Sequence, residues 1–279
     1  MRTSSLPVLF MLIAGLVVGS GPAAAAQAAN PAANPAANPA ANPAAYPVGD
    51  AGVLTRNPLY TTGRLPWSSC PERPVRPGDV ASVRAYLTPL LRCLDAVWAV
   101  QLQKARIPFS TPTVRFITKP ERTCGDKWGH DVQALYCGRD RRITVLLDKD
   151  SVATPQDLFL MDVIAHEYGH HVQYLAGIAR AYNVMDSRGR AEAEEQDRRH
   201  ELQAECLGGV FIGGVWPSLK RTGAEWKDLL AVERRSGDEN YKVRDHGKGA
   251  NIAGWLDRGF RAASPSACNT WSASASAVS

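Results

Sequence analysis

Val163-Ile164-Ala165-His166-Glu167-Tyr168-Gly169-His170-His171-Val172-Gln173 is the stretch on which both fold and chemistry turn. It contains H-E-x-x-H, with His166 and His170 four residues apart. On a helix that spacing puts two imidazoles one turn apart on one face, within reach of a single Zn2+. Glu167 projects beside them, where a carboxylate takes the proton of a zinc-bound water whose pKa the metal lowers to about 7. The apolar residues before His166 argue for a buried helix, and burying two histidines and a glutamate is costly without a metal or partners. Upstream, Thr154-Pro155-Gln156-Asp157 reads as a helix start, with a capping threonine, proline at the first helical position and an acid in the first turn. The helix is expected to run from there to about Ala181.

A catalytic zinc needs a third protein ligand and an open position for water. The extended H-E-x-x-H-x-x-G-x-x-H pattern is absent, because Gln173 stands where its glycine belongs and Ala176 where its third histidine belongs. Glu201-Leu202-Gln203-Ala204-Glu205-Cys206 supplies the best candidate. A helix with two acids four apart places Glu201 on the metal and Glu205 behind a ligand histidine. Like charges at that spacing cost an exposed helix about 0.2–0.5 kcal/mol, which argues that the pair has another role. Glu192, Glu194, Glu195 and Asp197 are rivals, but they fall in the charged run Arg188 to Asp197, expected as a solvated loop or helix face. A separate helix is expected over about Arg198 to Ile212.

Outward from this centre the pattern is α+β. Val80 to Ala105 has helical periodicity, Thr113 to Thr118 alternates like a strand, and Ile143 to Leu147 is a short apolar run of strand character. The latter is expected as an edge strand beside which an extended peptide could lie. Short helices are expected around Glu225 to Arg235 and Ala250 to Arg261. Cys124 and Cys137 bracket a glycine-containing loop that a disulfide would close.

The chain has 279 residues, 45% hydrophobic and 21% charged, with a net charge of +5. That composition excludes wholesale disorder, and the charge forms no basic run, so nucleic acid is not an expected partner. Arg2 followed by the apolar Leu6–Val18 and Ala24-Ala25-Ala26 reads as a secretory signal over residues 1–26, with an uncleaved membrane anchor as the alternative. Asn-Pro-Ala-Ala then repeats four times from Asn30 to Ala45. Proline every fourth residue blocks helix bonding, so 27–58 is expected as a semi-stiff linker and 59–279 as the folded domain. All six cysteines follow the signal, and in an exported chain they favour three disulfides with 15 possible connectivities.

The helix stretch resembles that of the bacterial neutral zinc metallopeptidase family. Further blocks agree: Thr123-Cys124-Gly125 with Tyr136-Cys137-Gly138-Arg139-Asp140, the Glu201–Cys206 block, Asp245-His246-Gly247, Trp255-Leu256-Asp257-Arg258-Gly259-Phe260 and Cys268-Asn269-Thr270-Trp271. The match spans roughly residues 110 to 271. It implies a zincin-like fold with a small N-terminal sheet, an active-site helix and a second helix bringing a glutamate, in a mainly helical C-terminal half. Two positions depart from the family: Glu205 replaces its usual aspartate, and Gly138 its usual proline. The likeness to glutamate-type zinc peptidases makes His246 a donor to the oxyanion of the tetrahedral intermediate, oriented by Asp245.

The expectation is therefore an exported zinc metalloendopeptidase: Zn2+ on His166, His170 and Glu201, Glu167 as general base, His246 as oxyanion donor, Glu205 and Asp245 behind them. Peptides or proteins are the expected substrates, and the N-terminal segment suggests association with the cell envelope. A zinc-binding envelope protein without turnover is the alternative. Cys124–Cys137 is a local pairing, Cys206–Cys268 would tie the second helix to the tail, and Cys70–Cys93 follows by elimination, with Cys206 as a zinc ligand the competing reading. His130, His171 and His200 are expected to be ordinary non-ligand residues, His130 and His200 on the surface. Tyr168, Trp216, Trp226, Trp255 and Phe260 are expected to be packing.

Overall fold

A computed structural model describes residues 51–129, 132–153 and 156–279. The signal segment, the four repeats, His130 and the Thr154-Pro155 helix start lie outside the described residues. After a short helix α1 (Gly52–Thr55) comes the long α2 (Val80–Lys104), then strands β1 (Thr113–Ile117), β2 (Ala134–Cys137) and β3 (Arg142–Leu146). Helices α3 (Lys149–Ala153), α4 (Asp157–Leu175), α5 (Ile178–Asn183), α6 (Arg190–Leu219), α7 (Gly223–Glu233) and α8 (Gly249–Ala262) follow, with short 3-10 turns between and after them.

The architecture is α+β, mostly helical with one three-stranded sheet of order β1-β3-β2. β3 runs parallel to β1 and antiparallel to β2. The edge placement expected for Ile143–Leu147 is thus wrong: β3 is the central strand and both its sides are paired. From Ile143 to Leu146 every residue of the strand is buried, Thr144 included, so both of its faces are covered and the sequence does not alternate.

The core lies where α4 packs between the sheet, α2 and α6, with α8 on the far side of α6. From Leu160 to Gln173 every residue of α4 is buried. A helix covered on all sides carries little facial pattern, so its polar residues rather than its apolar ones mark which side faces α6. α4 stops at Leu175 instead of Ala181, because Gly177 takes φ 75° and turns the chain into α5. Of the loop and helix-face alternatives the charged run takes the second: from Arg190 it forms the first turns of α6, one continuous 30-residue helix rather than a separate helix from Arg198, and Glu192, Glu195 and Gln196 are buried instead of solvated. Salt bridges Arg188–Glu192, Arg190–Glu194 and Arg199–Glu195 at four-residue spacing hold those turns.

The domain begins before residue 59. α1 carries Leu54, which is fully buried against Ile178, Tyr182 and Trp271. Disulfides join Cys70–Cys93, Cys124–Cys137 and Cys206–Cys268, so Cys206 is not available to a metal. Among the described residues no helix is long and apolar enough to cross a membrane. Trp226 stacks on Phe260 with centroids 3.8 Å apart, and Trp216 meets both rings edge-on, so these aromatics are packing.

Candidate metal centre

Two glycines let α4 and α6 approach closely enough for their side chains to share one centre. A Cβ on Gly169 would lie 2.6 Å from the Ala204 carbonyl oxygen, and one on Gly208 would lie 3.2 Å from the His166 backbone nitrogen. At that crossing the carboxylate of Glu201 reaches both histidines. Its Oε2 is 3.1 Å from His170 Nε2 and 3.4 Å from His166 Nε2, and the two Nε2 atoms are 3.1 Å apart.

The partners on the other side of each ring decide what those short distances mean. His166 Nδ1 lies 2.7 Å from Glu205 Oε2, and His170 Nδ1 lies 2.9 Å from Gln173 Oε1. The Gln173 amide is held in that sense because its Nε2 donates to His200 O and Gln203 Oε1. With an oxygen acceptor at each Nδ1, an Nδ1–H tautomer of either ring turns its Nε2 lone pair inward. Glu201 is charged: burial opposes its ionisation, but the surrounding imidazoles outweigh that and hold its carboxyl well below the usual range. Three atoms able to act as electron-pair donors therefore converge on one point. Donors about 2.0–2.1 Å from a tetrahedral zinc stand about 3.3 Å apart, which is the spacing found, so this donor set fits Zn2+.

Glu167 is buried next to this cluster, with its Oε1 free of any hydrogen-bond partner. Burial pushes its carboxyl up, while His166 and His170 pull it back and the Tyr136 backbone N–H donates to it. His246 stands on the opposite flank, its Nε2 unpartnered and 3.8 Å from Glu201 Oε2. Its Nδ1 is 2.8 Å from Asp245 Oδ1, and its backbone N–H donates to Asp238. Burial works against a charged His246, but the Asp245 hydrogen bond and the field of Glu201 raise its pKa above the ordinary imidazole value.

The rival acids are elsewhere: Glu192, Glu194 and Glu195 pair with arginines, and Asp197 accepts from the Tyr182 hydroxyl. His171 faces away, between the Ser110 carbonyl and the Tyr136 hydroxyl, and Tyr168 donates to Asp95. His200 is not a surface residue. It is stacked between His170 and Tyr182, with centroids 4.9 and 4.6 Å away. Gln173 also escaped the sequence reading as a partner of His170, although three residues on along one helix is the spacing that permits it. Asp162, four residues before His166, gave the same kind of signal; Glu233, which joins it and Glu205, gave none.

The family described as “Putative neutral zinc metallopeptidase” matches residues 81–271. The chain is similar to the uncharacterized protein YpfJ of Escherichia coli (strain K12), 26% identical over 217 residues that cover 71% of this chain and 75% of that protein. It is also similar to the uncharacterized proteins Mb2605 of Mycobacterium bovis and Rv2575 of Mycobacterium tuberculosis (strain H37Rv). Each is 28% identical over 263 residues, covering 81% of this chain and 84% of the relative. No solved structure matches the chain.

Proposed function

Because the chain belongs to this neutral zinc metallopeptidase family, we propose that it is an exported zinc metalloendopeptidase that hydrolyses peptide bonds in peptides or proteins. The observation that carries this reading is the convergence of His166 Nε2, His170 Nε2 and Glu201 Oε2 within tetrahedral-edge distances beside the Glu167 carboxylate, whose Oε1 has no hydrogen-bond partner. Export rests on the signal-like N-terminus and on three disulfides, which persist in oxidising compartments.

His166, His170 and Glu201 would hold the zinc, which supplies an acidified water and polarises the scissile carbonyl. Glu205 and Gln173 fix the two imidazoles in the tautomer that presents Nε2. Glu167 takes the water's proton and later delivers it to the leaving amine; its buried site raises its pKa toward the range suited to both tasks. His246, protonated with Asp245 on Nδ1, offers Nε2–H to the oxyanion as the carbonyl becomes tetrahedral.

The test is metal analysis of the purified protein together with hydrolysis of a diverse peptide library by wild type and Glu167→Gln. One zinc per chain in both, with hydrolysis reduced about 10²–10⁴-fold in the variant, is expected. Zinc in both proteins with no hydrolysis by wild type would make this a zinc-binding protein without turnover. Absence of zinc would sink the reading altogether.

A further inference from the structure

Behind His166, away from Glu201, lies a second cluster that the peptidase chemistry does not use. Asp162 of α4, Glu205 of α6 and Glu233, the last residue of α7, are each 2% exposed or less. One carboxylate oxygen from each lies within 4.8 Å of the others. Glu205 Oε2 is taken by His166 Nδ1, and Glu233 Oε2 accepts from the Ser236 hydroxyl. That leaves both oxygens of Asp162, Glu205 Oε1 and Glu233 Oε1 buried without a hydrogen-bond partner.

Four orphan carboxylate oxygens from three helices are not an ordinary core feature, since buried polar atoms are almost always satisfied. Among the described residues no lysine or arginine pairs with any of the three acids; the ion pair the group makes is with His166. Burial pushes the carboxyls of Asp162 and Glu233 well up, and the neighbouring carboxylates add to it. Four unsatisfied oxygens converging this deep in the core call for an electrophilic partner among them, which a bound cation supplies.

We propose that Asp162, Glu205 and Glu233 form a second cation site, oxygen-only and specific for Ca2+, lying behind the zinc ligands. An all-carboxylate set selects a hard cation, whereas the nitrogen-rich His166/His170/Glu201 set suits zinc. Asp162 offers both oxygens, and bidentate carboxylates in irregular arrangements are Ca2+ chemistry. Mg2+ demands a regular octahedron, whereas Ca2+ tolerates an irregular set in which the four free carboxylate oxygens are completed by water. Glu205 then has one oxygen on the zinc histidine and the other on the calcium, so one side chain ties the two sites together. This site does not depend on the proposed hydrolysis, and Glu167→Gln leaves it intact.

The test starts from protein stripped with chelator and reloaded with one zinc. Equilibrium dialysis against millimolar Ca2+, followed by elemental analysis, should give one calcium beside the zinc and raise the Tm by about 5 °C. Mg2+ at the same concentration should give neither. Asp162→Asn and Glu233→Gln should each abolish the calcium and the Tm shift while zinc stays at one per chain. If either variant fails to fold, the wild-type dialysis alone still decides. Absence of calcium in wild type, calcium retained in both variants, or a second zinc occupying the site would each overturn the assignment. So would a protonated-carboxyl infrared band that Ca2+ leaves unchanged, because protons would then be the electrophilic partner.

Discussion

Helix α6 is crossed twice, by α4 and by α8, and the two crossings use the same device for different ends. Both depend on glycines that let backbones meet. On the α8 side a Cβ on Gly209 would strike the Leu256 carbonyl, one on Gly213 the Phe260 carbonyl, and one on Gly259 the Cys206 carbonyl. That contact is lined by apolar residues such as Leu256 and Val210, and the Cys206–Cys268 bond closes it. On the α4 side the close approach brings His166, His170, Glu201 and Glu205 together, all buried and polar. Apolar burial and the covalent tie stabilise the first crossing. The second stabilises only as far as its polar groups satisfy each other, because each buried donor or acceptor without a partner costs about 1–3 kcal/mol. Apolar burial and the covalent tie are concentrated on one flank of α6 and the candidate metal centre on the other.

The contrast can be broken most severely at the disulfide. Replacing Cys206 and Cys268 together by alanine releases a loop of sequence separation 62 and should cost about 4 kcal/mol in urea unfolding, while zinc per folded chain stays at one. Gly259→Ala forces α8 off α6 and should cost about 3 kcal/mol, again with zinc retained. Gly169→Ala is the matching lesion on the other flank. It should cost about 2 kcal/mol in stability, and because it moves Glu201 from the histidines, zinc affinity in a competitive chelator titration should fall about tenfold or more. A Gly169→Ala protein with wild-type zinc affinity would show that the α4 crossing does not set the ligand geometry. Glu205→Gln leaves both crossings in place and loosens the hold on His166 together with one corner of the Asp162–Glu205–Glu233 cluster, so in calcium-free buffer zinc affinity should drop about 10–100-fold with little change in unfolding.

The sequence made the α4 half of the site legible and left the rest dim for physical reasons. His166, Glu167 and His170 share one helix, so a fixed 3.6-residue period converts spacing into geometry. Glu201 and Glu205 announced themselves by the cost of placing like charges one turn apart. Gln173 was visible only as an exception to a longer motif. His200 was unreadable, because its burial comes from Tyr182 and His170 on other elements, and no local pattern encodes a long-range stack. Glu233 was hidden for the same reason. The charged start of α6 read equally as a loop or a helix face, and i,i+4 salt bridges and contacts to the tail decide for the helix despite its lack of apolar residues. Arg199, fully buried, reaches the Thr270 and Ala273 carbonyls there. β3 was correctly read as a strand but placed at the edge, since an apolar run of five does not say how many neighbours it has.

The way the four side chains around the centre are mounted divides its mechanical freedom unevenly. His166 and His170 ride on one rod, α4, and Glu201 on another, α6, pinned by its glycines and its disulfide. Shifting Glu201 would drag Cys206 and Gly209 with it, so these three positions have no independent coordinate. His246 is different: it sits in the irregular stretch between Asp238 and α8, fastened by Asp238 to its own backbone N–H and that of Gly247, which has φ 98°. The three ligand positions are thus carried by two helices locked at their crossing, whereas His246 is carried by an irregular segment outside them and held through Asp238. Whatever range of shapes this centre accommodates must be written into the residues that carry His246 rather than into the helices beneath it.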